Sequence, residues 1–174
     1  AQKEMRVRQF DITTAYLNGN LEEEVFMEPP EHLKEVLSYM IESGRIDHSL
    51  LAQAMLTLKK LRSGDFVCRM KKALYGLKQA GRAWNKKLDQ VLRDFGMKPT
   101  AGDPCVYTKG SGKEMLILLV YVDDIIVVGP TDECIDELRD HLSAAFELKD
   151  LGEIRRCLGL DFSVGRKEIS INQR

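Results

Sequence analysis

The sequence has no long apolar run. Its longest, residues 115–122, falls well short of the ~18 residues that a membrane-spanning helix needs. The first ten residues, AQKEMRVRQF, hold no apolar core of the kind a secretory leader carries, so none is expected. Cysteine is sparse: Cys68, Cys105, Cys134 and Cys157 lie far apart with no CxxC pair. His32, His48 and His141 stand near none of them at zinc spacing, so reduced thiols are expected rather than a metal knot or a disulfide scaffold. There is no repeat and no low-complexity linker. What is present is ordinary globular composition: 44% hydrophobic and 30% charged residues in 174, enough chain for one domain or one with a small appendage.

A net charge of −1 conceals three blocks. Residues 1–58 are net −5, residues 59–98 net +9 and residues 99–174 net −5. A +9 block over 40 residues attracts a polyanion at close range. The plain alternative is a solvated helix face. The acidic flanks would repel phosphate unless cations intervene.

Periodicity sets the elements. Residues 5–12 alternate as a short strand, with Met5, Val7 and Phe10 as its apolar positions, and end in Asp11. Asn18-Gly19 marks a turn, and Pro29-Pro30 stops any regular element. Residues 31–62 predict two helical pieces broken at Gly44. Residues 66–70 predict a strand. Residues 78–95 predict a long helix with Leu77, Ala80, Trp84, Leu88, Val91 and Phe95 on its apolar face and Lys78, Arg82 and Lys86 on its basic one. Trp84 reads as core, with base stacking as second choice. Residues 115–121 and 125–128 predict buried strands. A helix is expected over 132–146, and a closing hairpin over 158–171 around Gly165-Arg166. This order points to an α+β fold, an antiparallel sheet with helices on one face.

Asp123 and Asp124 are the strongest chemical feature. A hairpin tip usually takes Asn-Gly or Asp-Gly, and no glycine follows here. Two adjacent carboxylates beside buried strands repel each other, and a divalent cation would relieve the repulsion. A simple turn is the alternative. Asp11 ends a strand in the same way. Three carboxylates from two strand ends would suit a pair of Mg²⁺ ions, which clamp the attacking and leaving oxygens of an in-line phosphoryl displacement.

Four ordered motifs carry a resemblance. These are Phe10-Asp11-Ile12-Thr13-Thr14-Ala15-Tyr16-Leu17-Asn18-Gly19, then Ala73-Leu74-Tyr75-Gly76-Leu77-Lys78-Gln79-Ala80, then Tyr121-Val122-Asp123-Asp124, then Asp150-Leu151-Gly152-Glu153-Ile154 with Cys157-Leu158-Gly159. Together they resemble the copia-type reverse transcriptases of LTR retrotransposons, across nearly the whole chain apart from about residues 34–64.

The resemblance implies a polymerase palm with partial fingers, residues 1–174 forming an incomplete palm domain and residues 34–64 a helical insertion. A complete enzyme of this kind is expected to carry fingers ahead of the first catalytic strand, and thumb and RNase H regions behind. The implied activity is RNA-directed DNA synthesis by two-metal transfer of dNTPs onto a primer 3′ end. Asp11, Asp123 and Asp124 would be the catalytic, metal-binding acids, with Mg²⁺ as the cofactor and Mn²⁺ as an alternative ion. Tyr16 would be the aromatic gate against a ribose 2′-hydroxyl, with a core tyrosine as the alternative. Gln79, Ile12 and Val122 would line the nucleotide, though Gln79 also reads as a solvated helix-start residue. Lys78 and Arg82 would contact primer and template, as would Leu158 and Gly159, which resemble the hairpin that grips the primer end. Lys149 would stand beside the leaving pyrophosphate, or else form a surface pair with Asp150. The implied partners are template–primer, dNTPs and the rest of a Pol polyprotein, with no membrane, in a cytoplasmic virus-like particle. A remnant or domesticated fragment that only binds nucleic acid is the competing reading. A phosphoacceptor domain would need alternating parallel βα order, which the hairpin-like 121–128 region does not offer.

Overall fold

A computed structural model describes residues 5–64, 66–165 and 168–173. The chain runs β1 (Arg6–Ile12), β2 (Phe26–Met27), α1 (Leu33–Glu42), α2 (His48–Ser63), β3 (Cys68–Arg69), α3 (Ala80–Asp94), β4 (Lys98–Pro99), β5 (Val106–Lys109), β6 (Leu116–Tyr121), β7 (Asp124–Gly129), α4 (Asp132–Ser143), β8 (Leu148–Glu153), β9 (Arg156–Cys157), β10 (Leu160–Val164) and β11 (Ile169–Gln173). It divides into two compact units, residues 1–20 with 72–174, and residues 21–71. Among the described residues no helix is long and apolar enough to cross a membrane. The fold is α+β with antiparallel sheets.

The larger unit is built on a six-stranded sheet in the order β4-β5-β6-β7-β1-β8, with every neighbouring pair antiparallel. Strand pleating puts alternate residues on opposite faces. One face carries Phe10, Ile12, Leu116, Leu118, Ile125 and Val127, all buried. These pack into one core with Trp84, Leu88, Val91 and Leu92 of α3 and Ile135, Leu138 and Leu142 of α4. Both helices therefore lie on that face. Of the expected apolar positions of β1, Phe10 faces the helices and Val7, three residues away, faces the other side. Arg8 shares the helix-side face with Phe10 and Ile12 and is bonded to Asp136 of α4, while Gln9 is buried on the other face, so the polarity of β1 does not report which face meets the core.

Helix α3 begins at Ala80 rather than at Lys78. Gly76 takes a left-handed φ of 96°, and turn hydrogen bonds from Leu77 to Leu74 and from Ala80 to Leu77 occupy the approach. Lys78 thus precedes the helix instead of sharing its basic face with Arg82. Gly96, at φ 89°, ends the helix with paired bonds from Gly96 to Arg93 and from Met97 to Leu92. That is the Schellman arrangement, for which glycine is the favoured residue. Helix α4 starts on Thr131, whose hydroxyl accepts from the Cys134 amide, and stops at Ser143, short of Phe146.

A three-stranded sheet, β11-β10-β9, also belongs to this unit. The stretch expected as one strand from residue 158 instead holds a two-residue turn, Leu158-Gly159, between β9 and β10. Both turn residues have positive φ, 51° and 78°, as a type I′ hairpin requires. Of the expected tip Gly165-Arg166, Arg166 lies outside the described residues.

In the smaller unit, β2 and β3 pair antiparallel, and α1 and α2 form a helical pair. Asp47 caps α2 by accepting from the Ser49 amide at 2.8 Å, and Gly64, at φ 84°, closes it. Leu58 is the one buried side chain on the two helices, and α1 has none.

Candidate active site

The sequence Tyr121-Val122-Asp123-Asp124 folds as a tight hairpin because apolar strands on both sides pair in register from Ile117–Val128 to Tyr121–Asp124. Only Val122 and Asp123 are left to make the turn. Asp124 is therefore a strand residue and Asp123 a tip residue, a distinction that two adjacent letters conceal.

Asp124 is also the cross-strand partner of Asp11, and Asp11 the partner of Lys149. A four-residue row crosses the sheet: Lys149, Asp11, Asp124 and Tyr121, on the face opposite the helices. The Ile12 amide donates to the Asp123 carbonyl at 3.0 Å. Ile12 and Asp123 thus form the hydrogen-bonded pair and Asp11 and Asp124 the next, non-hydrogen-bonded one, in which side chains approach more closely, with Cα atoms about 4.5 Å apart. All three acids are half-buried. Lys149 Nζ lies 3.9 Å from Asp11 Oδ2 and is largely exposed. Asp150 does not pair with Lys149. It holds Arg8, which also donates to Asp136 at 2.6 Å and so ties β1 to α4.

Asp124 is held from a second direction. Gln9, two residues before Asp11 and on the same face, donates from Nε2 to Asp124 Oδ1 at 3.2 Å. Gln9 is 6% exposed, the buried polar side chain of the larger unit's described residues. Burial, then the Asp124 carboxylate, push the Cys157 thiol up.

Tyr16 sits in a single 3₁₀ turn (Ala15–Asn18) that follows Thr14, a residue at φ 51°. Its ring lies against Tyr75, with centroids 4.5 Å apart. Burial raises the Tyr75 phenol, followed by the charges of Asp123, Tyr16 and Asp11. Tyr75 therefore shares the neighbourhood of two of the acids. The Thr13 hydroxyl, next but one to Asp11, is buried without a hydrogen-bond partner among the described residues.

The other expected site residues are distributed as follows. Ile12 is 1% exposed, with its side chain in the core, so only its backbone reaches the turn. The Val122 side chain packs against the core, and its carbonyl accepts from Trp84 Nε1 at 2.8 Å. Gln79 is half-buried at the start of α3. Lys78, Arg82, Leu158 and Gly159 are exposed. Lys59, Lys60, Arg62, Arg69 and Lys71 of the basic block belong to the smaller unit, and the remainder of the block to the larger.

Carboxylate oxygens are hard donors of the type that Mg²⁺ and Mn²⁺ take, and three lie at one end of this sheet. In donor chemistry the residues fit such ions. Among the described residues, no three His, Cys, Asp or Glu side chains stand close enough together to hold a cation.

Sequence reasoning missed Gln9 and Tyr75. A polar residue two positions from a catalytic-type acid on the same strand face was the available signal for Gln9. Tyr75 lay inside a quoted motif, but its proximity to Tyr16 is a tertiary contact with no signature in spacing.

The model of the reverse transcriptase (RNA-dependent DNA polymerase) family matches residues 57–174. The retrovirus-related Pol polyprotein from transposon TNT 1-94 of Nicotiana tabacum is 37% identical over 92% of this chain, which covers 10% of that protein. The Pol polyprotein from transposon RE1 of Arabidopsis thaliana is 31% identical over 97% of the chain, again 10% of the relative. The transposon Ty1-MR1 Gag-Pol polyprotein of Saccharomyces cerevisiae is 26% identical over 84%, covering 7% of that protein. The chain thus spans about a tenth of the length of these Pol polyproteins. No solved structure matches it. With the acid motifs in order, the family model matched over most of the chain and the Pol relatives aligned along nearly all of it, the chain belongs to the reverse transcriptase (RNA-dependent DNA polymerase) family, of the copia type.

Proposed function

We propose that this chain is the catalytic segment of an RNA-directed DNA polymerase that adds dNTPs to a primer 3′ end on a nucleic-acid template, within a longer Pol polyprotein. The observation that carries this reading is the cross-strand row of Lys149, Asp11 and Asp124 with Asp123 at the adjoining tip.

The primer 3′-oxygen attacks the α-phosphorus and gives up its proton to solvent. A new P–O bond forms, the bond to the β-phosphate oxygen breaks, and pyrophosphate leaves. Two divalent cations, Mg²⁺ or Mn²⁺, would supply charge neutralisation at the attacking and leaving oxygens. Asp11 and Asp123 are the residues to hold them, with Asp124 as the supporting acid fixed by Gln9. Lys149, opposite Asp11, offers a positive charge to the departing pyrophosphate. Tyr16, braced by Tyr75, lies under the sugar and excludes a 2′-hydroxyl by clash. Backbone groups of Ile12 and Val122, and the side chain of Gln79, border the nucleotide. Lys78, Arg82 and the Leu158-Gly159 turn face the phosphate backbones of template and primer.

Primer extension tests this, with the chain alone and with the chain replacing the matching segment of the Nicotiana polyprotein. Extension that needs Mg²⁺ or Mn²⁺ and disappears in Asp123→Asn is expected. Equal extension by Asp123→Asn would overturn the assignment. Primer–template binding without extension by either form would leave a nucleic-acid binder.

A further inference from the structure

The hairpin tip is built against the preference of its own residues. A two-residue hairpin needs positive φ at its first position (type II′) or at both (type I′), so glycine or asparagine is usual there. Here the first position is Val122, at φ 58°, while Asp123 is not among the positive-φ residues. A β-branched residue in this region is strained, and such strain persists only where the surroundings impose it.

Two hydrogen bonds from outside the hairpin impose it. The indole Nε1–H of Trp84 on α3 donates to the Val122 carbonyl at 2.8 Å. The Ile12 amide on β1 donates to the Asp123 carbonyl at 3.0 Å. The two peptide planes flanking the Asp123 Cα are therefore both pinned, one by a helix and one by a strand. Pinning both planes fixes φ and ψ of Asp123 and so the direction in which its carboxylate leaves the backbone. The indole is itself rigidly held. Trp84 is 2% exposed and packs edge-to-face with Phe146, ring centroids 5.0 Å apart. Gly19 lets the loop after Tyr16 lie against the helix backbone at that level, since a Cβ there would stand 2.8 Å from the Trp84 nitrogen.

We infer that Trp84 is a positioning residue that selects the left-handed conformation of Val122 and thereby aims Asp123. The functional consequence rests on the polymerase reading above; the backbone clamp does not.

The test uses the full chain in four forms: wild type, Trp84→Phe, Val122→Gly and the double variant. Phenylalanine keeps an aromatic ring in the core and removes the donor. Glycine adopts positive φ without help. Trp84→Phe is expected to lower Mn²⁺ affinity, read from free-ion electron paramagnetic resonance, and kcat for extension, each about tenfold, with KM for primer–template unchanged. With glycine at 122, the same Trp84→Phe change is expected to have less than about a twofold effect, the signature of coupled rather than additive sites. An effect of equal size in both backgrounds, or none in either, overturns the inference. A measurement without substitution stands beside it. Trp84 is the sole tryptophan, so the indole N–H gives one signal in a ¹⁵N spectrum. Protection of that proton from solvent exchange is expected; exchange at the rate of a free indole overturns the clamp whatever the activity. Wild-type extension by Asp123→Asn with a protected indole would sink the polymerase reading and leave the clamp standing.

Discussion

The rings of Tyr16 and Tyr75 stand 4.5 Å apart at 45°, the first carried by the turn after β1 and the second by the loop before α3. Neither ring is fixed by its own strand or helix, so each limits the other. Tyr16→Val is expected to reduce discrimination against ribonucleotides by about 100-fold, the scale on which a pocket senses one group. Tyr75→Ala, which frees Tyr16 to move, is expected to cost about tenfold. Competitive single-nucleotide incorporation measures both; unaltered selectivity in Tyr16→Val would remove the gate role.

Gln9→Leu leaves Asp124 Oδ1 without the partner it has at 3.2 Å. Replacing a buried hydrogen-bonding group beside a carboxylate costs about 1–3 kcal/mol. We expect lower stability in urea and a kcat reduced by about tenfold. Stability and kcat both at wild-type level would show that the contact positions nothing.

Lys149→Met removes a charge 3.9 Å from Asp11. Lys149 is exposed and Asp11 half-buried, and at 3.9 Å the contact is loose, so folding stability is expected to change by less than about 1 kcal/mol. The effect should appear instead as a several-fold higher KM for dNTP, measured by steady-state extension. A stability loss without a KM change would make Lys149 a structural partner only.

Tyr107 predicts an alkaline limit. Its hydroxyl donates to Asp89 at 2.9 Å, and burial, then that bond, raise its pKa above the ordinary 10.0. The unfolded chain ionises first as pH rises. The stabilisation is therefore complete below pH 10 and lost above it. Tyr107→Phe is expected to be less stable at pH 8 by about 1 kcal/mol and to show a shallower loss between pH 10 and 12. Parallel curves for the two proteins would contradict the buried-phenol account.

The acids, the hairpin that carries two of them and the α3 core were legible in the sequence because they depend on local periodicity and on charge set against apolar runs. Residues 31–62 read as two helices for the same reason, and Gly44 lies between them. What was not legible depends on strand order. That Asp11 faces Asp124 on one side and Lys149 on the other follows from β1 lying between β7 and β8, strands more than 100 residues away. Gln9 looked like one more polar residue on an alternating strand. Trp84 read as core, and is core; that a buried indole must place its N–H somewhere was a usable clue, but the acceptor could not be named before the fold was known. The turn at Leu158-Gly159 was hidden from periodicity, because leucine rarely takes a left-handed conformation and the stretch reads as uninterrupted strand; only the family resemblance pointed to a hairpin there.

The chain leaves the larger unit after Asn20 and re-enters it at Lys72, and these two residues form an isolated antiparallel bridge with each other. The Ala73 amide reinforces the junction by donating to the Gly19 carbonyl at 2.9 Å. The 21–71 excursion thus begins and ends at one point on the sheet-bearing unit, as an insertion does at a clasp. Because closing a loop costs only logarithmically more as the loop lengthens, that clasp is a natural splice point. Segments of very different length are expected to be exchangeable between Asn20 and Lys72 with β1 and α3 keeping their places, since the Asn20–Lys72 bridge and the Ala73–Gly19 bond do not depend on what lies between.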